Sequence, residues 1–328
     1  MKILVTGANG HLGNNIVRYL LTQNVEVLSG VRRNADVSVL ADLPTEIVTL
    51  DYDSVQQLAR VFNQADVIIH TAAVFKRWAK DLQKDIIDQN VNLSINIVNA
   101  AADAGVKKLI YISSIAALDD SQMPMDESSW NQLKQRPYPY SKSLSEQKAL
   151  QTAQQRGLTI CTLLPSAIIG PHFNALTPTL RVFADIANKN LPMLPRFNFL
   201  FINATDVARA ALLAIEHGRN GERYIISHPQ KYSVEQVFDL AYQHLPQLNL
   251  KKPSMAPKFL LFCMAWLGEK VSFLTGKEPL LTVEDIKELW DASPQVNVLK
   301  AKKELGFEAA SVEISMLETF RFLKSVKA

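Results

Sequence analysis

Tyr138 and Lys142 stand four positions apart, a spacing that puts both on one face of a helix. An ammonium beside a phenol favours the phenolate and brings the tyrosine toward a useful range for proton transfer. Such a tyrosine can protonate a carbonyl oxygen while hydride arrives from a nicotinamide, and the lysine can also hold the nicotinamide ribose. Tyr140 competes for the role, but at two residues from Lys142 it points to another side. Pro139 is tolerated because first-turn N–H groups lack intrahelical partners anyway. The Y-x-x-x-K pattern is short, so its position carries the weight. It follows Leu109-Ile110-Tyr111-Ile112-Ser113-Ser114, an apolar strand that ends in two hydroxyls. At that strand edge Ser114 would polarise a substrate carbonyl by a hydrogen bond. The plainer alternative is that the hydroxyls only terminate the strand.

A nicotinamide needs a seat, and the start of the chain offers one. Thr6-Gly7-Ala8-Asn9-Gly10-His11-Leu12-Gly13 follows a strand and leads into a helix. Glycine allows the tight turn and lets backbone approach a pyrophosphate, while the helix N-terminus supplies free N–H groups. Gly7, Asn9, Gly10, His11, Leu12 and Gly13 are therefore the expected phosphate-side contacts. Three glycines alone say little; strand, loop and helix in this order say more. The next strand ends in Ser29-Gly30-Val31-Arg32-Arg33, with no acid before Asp36. An acid there would bind the ribose diol of NAD, whereas Arg32 and Arg33 suit the 2′-phosphate of NADP.

These groups need a scaffold. Apolar strand-like runs occur at Lys2–Thr6, Val25–Val31, Glu46–Leu50, Asp66–Thr71, Lys108–Ser113 and Thr159–Leu164. Helical patterns lie between them at Leu12–Thr22, Val55–Phe62, Asp85–Ala104 and Tyr140–Arg156. This alternation predicts an α/β fold, a Rossmann-type doubly wound parallel sheet with helices on both faces. After Pro165, prolines divide the chain into short elements. Helices are expected at Asp206–His217, Val234–His244, Pro257–Leu274, Thr282–Trp290, Val298–Leu305 and Val312–Lys324. The division expected is an NADP-binding part over residues 1–165 and a smaller, mainly substrate-binding part over 166–328, with some segments returning to the first.

Composition narrows the function classes. The 328 residues are 48% hydrophobic and 20% charged, enough to bury a sizeable core. A net charge of +3 without a basic run gives no footprint for nucleic acid. The two cysteines, Cys161 and Cys263, have no metal-ligand spacing and read as small apolar residues, and no metal is expected. A strand beginning at Lys2 leaves no room for a leader, so a cytoplasmic location is expected. The longest apolar stretch, Phe259 to Leu267, is too short for a membrane span of about 20 residues. It could lie on a membrane surface, although a helix covering the substrate is the commoner explanation.

Taken together, the Gly7-x-x-Gly10-x-x-Gly13 loop, Ser114 and Tyr138-x-x-x-Lys142 resemble the extended short-chain dehydrogenase/reductases along the whole chain. The resemblance implies that Asp51 and Tyr52 contact adenine and that Thr71-Ala72-Ala73 pass over the adenosine side. It matches Asn90-Val91-Asn92 to an asparagine–valine motif, and the segment from Pro165 through Ile168 to Pro171 to the nicotinamide-side loop. Position 203 carries asparagine where the family has histidine, so no role carries over there. Within the family the likeness is to dihydroflavonol-4-reductase-like proteins of the NAD-dependent epimerase/dehydratase group. That implies NADPH-dependent reduction of an aldehyde or ketone.

Sugar-nucleotide epimerases share the triad but usually hold NAD, which the arginine pair disfavours. Dehydratases of this fold carry an acid pair where Ile115-Ala116 stands. Non-catalytic sensors lose the tyrosine–lysine pair. A pocket lined after Val74, around Pro124–Trp130, His172–Leu176 and Leu191–Phe201 would take an apolar or aromatic substrate, with Phe75, Trp78, Trp130, Phe173, Phe197 and Phe199 as candidate walls. His172 could touch substrate, though a lone loop histidine is more often simply exposed. Many relatives pair the helices near Asp85–Ala104 and Tyr140–Arg156 into a homodimer. In the first of these helices Val91, Ile95, Val98 and Ala102 have core-like spacing.

Overall fold

Strands with no polar face must be covered on both sides, and this requirement organises the molecule. The computed structural model describes residues 1–73 and 78–325. In chain order the first part runs β1 (Lys2–Thr6), α1 (His11–Leu21), β2 (Glu26–Arg32), β3 (Glu46–Leu50), α2 (Val55–Phe62), β4 (Val67–His70), α3 (Gln89–Asp103), β5 (Lys108–Ile112), α4 (Pro137–Arg156) and β6 (Ile160–Pro165). It continues through β7 (Ala167–Ile169), α5 (Pro178–Ala187), β8 (Met193–Leu194), β9 (Asn198–Asn203), α6 (Ala204–His217), β10 (Arg223–Ile226), β11 (Lys231–Ser233) and α7 (Val234–His244). The last elements are β12 (Ser254–Met255), α8 (Lys258–Thr275), α9 (Val283–Leu289) and α10 (Val312–Ser325).

Seven parallel strands form the main sheet in the order β10-β6-β5-β4-β1-β2-β3. Alternation along β1 sends Ile3 and Val5 into the layer with Ile16, Val17 and Leu20 of α1 and with α6, and Leu4 into the opposite layer with α2, α3 and α4. The strand order reverses between β1 and β4, which opens a crevice beyond their C-terminal ends. A second core gathers around the small sheet β11-β9-β7, packed by α5, α7 and α10. From this half of the chain β10 returns to the edge of the main sheet, and α6 covers its α1 face.

Several elements differ from the sequence reading. Pro178 does not merely interrupt the chain: capped by the Thr177 side chain, it opens helix α5, where its missing N–H costs nothing. The four-residue strand β10 was too short to carry a period. The helix expected over Asp85–Ala104 is a wide π-type turn at Gln83–Asp88 followed by α3. Its buried residues are Asn90, Ser94, Ile97, Val98, Ala100 and Ala101; of the four with core-like spacing Val98 is buried, while Val91, Ile95 and Ala102 are only half-buried. Two polar residues can face inward because Asn90 donates to Ser141 Oγ and Ser94 shares a hydrogen bond with Tyr111 Oη. The expected helix at Val298–Leu305 is likewise largely a π-type turn, Ala301–Leu305, stopped by Gly306 at φ 70°.

Candidate active site

The three glycines of the first loop are required for different reasons. Gly7 has φ +66°, and a Cβ there would lie 2.9 Å from Thr71 Oγ1. A Cβ on Gly13 would stand 2.2 Å from the Gly7 carbonyl oxygen, so α1 could not pack against the loop. Gly10 meets only the Gly7 oxygen, at 3.3 Å. Its missing side chain therefore matters mostly to what approaches from the cleft. Gly10 is also the N-cap of α1, with no side-chain cap and no acid in the first turn. The free N–H groups and positive end of the helix thus face the cleft, where an anion fits.

At the far end of this cleft Arg32 and Arg33 are exposed and form part of its wall. Asp36, the nearest acid along the chain, turns its carboxylate onto the Ser38 N–H at 2.9 Å. Asn9 donates to the Asp36 carbonyl and ties this turn to the glycine loop. Asp51, Tyr52, Thr71, Ala72 and Ala73 border the same space. Thr71 Oγ1 donates to the Thr6 carbonyl at 2.6 Å, which fixes the strand ends around the loop. Burial pushes the Tyr52 phenol up to about 12, so it stays protonated.

Tyr138 and Lys142 lie in the first turns of α4, which starts at Pro137, three residues ahead of the expected start. Both are buried, with Lys142 Nζ 6.0 Å from the Tyr138 ring centroid. Burial pulls the Lys142 ammonium down to about 8, opposed by the charge of Glu146 one turn further on. Buried His70, held against Thr6 Oγ1 at 2.8 Å, is pulled down to about 3 by burial and is neutral. Ser114 follows β5 and borders the cleft; its Oγ accepts from the Ala116 N–H, which leaves the hydroxyl proton to donate. Ser113 does different work, donating to Glu146 Oε2 from a buried position.

Glu146 and Arg223 escaped the sequence reading. Glu146 is fully buried and accepts from Arg223 Nε at 2.8 Å, Ser113 Oγ at 2.7 Å and Thr162 Oγ1 at 2.7 Å. Arg223 also donates to the carbonyls of Glu127 and Ser129 and lies 3.5 Å from the centroid of the Trp130 ring. The spacing Tyr138, Lys142, Glu146 repeats every four residues and could have revealed the acid. Arg223 gave no local signal, since its partners are 77 and more residues away.

The cleft encloses about 1900 Å³ and is bordered by all the expected cofactor and catalytic positions, Pro165 and Ile168 included. Drug-sized pockets run to about 1,000 Å³, so there is room for a dinucleotide and a second molecule. Leu191, Phe197 and Phe199 form walls of the cleft, joined by Leu261 of the apolar stretch read as a covering helix and by Leu281 and Leu289, which were not anticipated. Trp130 and Phe173 are not among the cleft walls: the first stacks on Arg223, and the second packs edge-on against His11 and Phe322. His172 packs on Phe322, away from the cleft, and Trp78 is half-buried outside it. Val74 and Phe75 lie outside the described residues. Asn203 caps α6 by accepting from the Thr205 N–H and donates to Ser315 and Glu318, so its hydrogen bonds here are structural.

Residues 3–227 match the family described as the NAD dependent epimerase/dehydratase family. A putative dihydroflavonol 4-reductase of Synechocystis is 30% identical, over 98% of this chain and 94% of its own length. Among solved structures, UDP-glucose 4-epimerase of Thermotoga maritima superposes with a TM-score of 0.79 at 20% identity over 100% of both chains. The yeast methylglyoxal/isovaleraldehyde reductase Gre2, complexed with NADPH, gives 0.78 at 19% identity over 100% of this chain and 99% of its own. At such identities these two likenesses establish the fold, which an epimerase and a reductase share.

Proposed function

We propose that this chain, which belongs to the NAD-dependent epimerase/dehydratase family and resembles its dihydroflavonol-4-reductase-like members, is an NADPH-dependent reductase of an aldehyde or ketone. The observation that carries this reading is that Tyr138, Lys142 and Ser114 border the same cleft as the glycine loop and the arginine pair. Bound NADPH supplies the hydride for the carbonyl carbon. Tyr138 gives its phenolic proton to the carbonyl oxygen, so hydride and proton together make the alcohol. The Lys142 ammonium stabilises the resulting phenolate and holds the ribose hydroxyls. Ser114 donates a hydrogen bond to the same carbonyl oxygen and stabilises the charge that develops there.

NADP is favoured over NAD because Arg32 and Arg33 face the cleft while the Asp36 carboxylate is held in its own turn. In this reading residues 1–165 hold the dinucleotide, residues 166–328 supply most of the substrate wall, and the Leu and Phe walls select an apolar or aromatic carbonyl compound. The test is NADPH oxidation against a panel of aldehydes, ketones and sugar nucleotides. Tyr138→Phe should lower kcat by about 10²–10⁴-fold while leaving NADPH affinity intact. Unchanged turnover in that variant would remove the catalytic assignment. Binding of NAD at least as tight as NADP would remove the arginine argument and favour a sugar-nucleotide epimerase.

A further inference from the structure

Helix α8 is apolar on the side that should be polar. Its inward edge is made by Leu261, Ala265 and Ser272, with Glu269 turned inward to accept the Val283 N–H. The opposite side carries Phe259 at 80% exposure, Trp266 at 54%, Leu267 at 56%, Phe273 at 63% and Leu274 at 85%. A surface helix normally shows polar residues there, and an apolar patch of this extent marks an interaction site. Among the described residues no helix is long and apolar enough to cross a membrane. The 18 residues of α8 carry Lys258, which lies over Trp290, and Lys270, which lies over Trp266; Lys277 and Glu278 follow just beyond and Lys80 stands beside Gly276, so cations outnumber acids here.

We infer that the outer face of α8 docks on an anionic lipid surface, lying in the plane of the interface. Charge decides between a bilayer and a second copy. Lys270 stands between Trp266 and Leu274 on the outward face, one helical turn from each. In a two-fold helix pair its ammonium would be buried with no acid of α8 on that face to meet it, since Glu269 is turned inward. Buried, unpaired charge is costly. At a lipid surface Lys270, which lies over the Trp266 ring, and Lys277 extend to the phosphates while the aromatic and leucine side chains enter the acyl boundary. The cleft continues onto this face: Leu261 and Met264 of α8 line it, and Leu280, 85% exposed, stands at its rim. An apolar molecule could thus pass between lipid and cleft without crossing water. The docking itself does not depend on the reductase reading.

Flotation of the full chain with vesicles tests the inference. Binding is expected to vesicles of phosphatidylcholine mixed with phosphatidylglycerol, with a blue shift of tryptophan emission that Trp266→Phe abolishes. Lys270→Gln and Lys277→Gln should each weaken binding to the anionic vesicles by about fivefold. The combined variant Phe259→Ser, Phe273→Ser and Leu274→Ser should weaken it by about tenfold or more, with an unchanged circular dichroism spectrum. The inference is overturned if the chain stays in solution with every vesicle, or if the triple variant floats as well as the parent. It is equally overturned if the parent is a dimer that the triple variant dissolves without any vesicle binding, since a second copy would then cover this face.

Discussion

Lys142 ties the chemistry of the cleft to pH. Burial brings its ammonium down to about 8, and Glu146 opposes that fall. The charged form is present below this value and lost above it. Tyr138 then loses the neighbour that stabilises its phenolate, so carbonyl reduction should decline as pH rises through about 8 in profiles of kcat/KM for NADPH, which report the enzyme without dinucleotide. The limb in kcat should sit higher, because the dinucleotide phosphates add negative charge to the complex. A profile flat to pH 10, well above the lysine limb, would mean that Lys142 does not carry a proton-linked step. The placement of Tyr138, Lys142 and Ser114 beside one cleft was legible in the sequence, because helix period and strand termination are local. The part of Ser113 was not, since its partner Glu146 lies 33 residues on.

At the scale of the element, the strand–loop–helix unit β1–α1 separates packing from binding. Gly13→Ala drives a methyl into the Gly7 carbonyl, while Gly10→Ala meets the same oxygen at the edge of contact. The Gly13 variant should therefore lose about 1–3 kcal/mol or more of stability in urea unfolding. The Gly10 variant should stay nearly as stable yet bind dinucleotide about tenfold or more weakly in a fluorescence titration, because its methyl occupies the approach of the pyrophosphate. Equal stability losses in the two would show that Gly10 is needed for packing alone. The motif revealed the unit; the clash distances that distinguish its glycines required the folded backbone.

For the molecule as a whole, Arg223 joins parts distant in the chain. It comes from β10, beyond residue 166, and binds Glu146 of α4 and the carbonyls of Glu127 and Ser129. The pair is almost fully buried, with side-chain exposures of 6% and 0%. Arg223→Met would leave the Glu146 carboxylate in the core without its counter-charge, which costs about 3–5 kcal/mol. A midpoint shift in urea unfolding measures it, and a loss below 1 kcal/mol, the level of exposed surface pairs, would show that the pair is not coupled to the fold.

The sequence by itself determined the parallel α/β class, the dinucleotide loop and the tyrosine–lysine spacing, because each is set by periods and steric needs within a few residues. Only the tertiary structure decided which aromatic residues face the cleft, since Trp130 and Phe199 look alike until Arg223 takes one of them. It also decided that the polar Asn90 and Ser94 face inward and the apolar side of α8 faces out. Burial is a property of what the rest of the chain brings alongside, and no local pattern contains that.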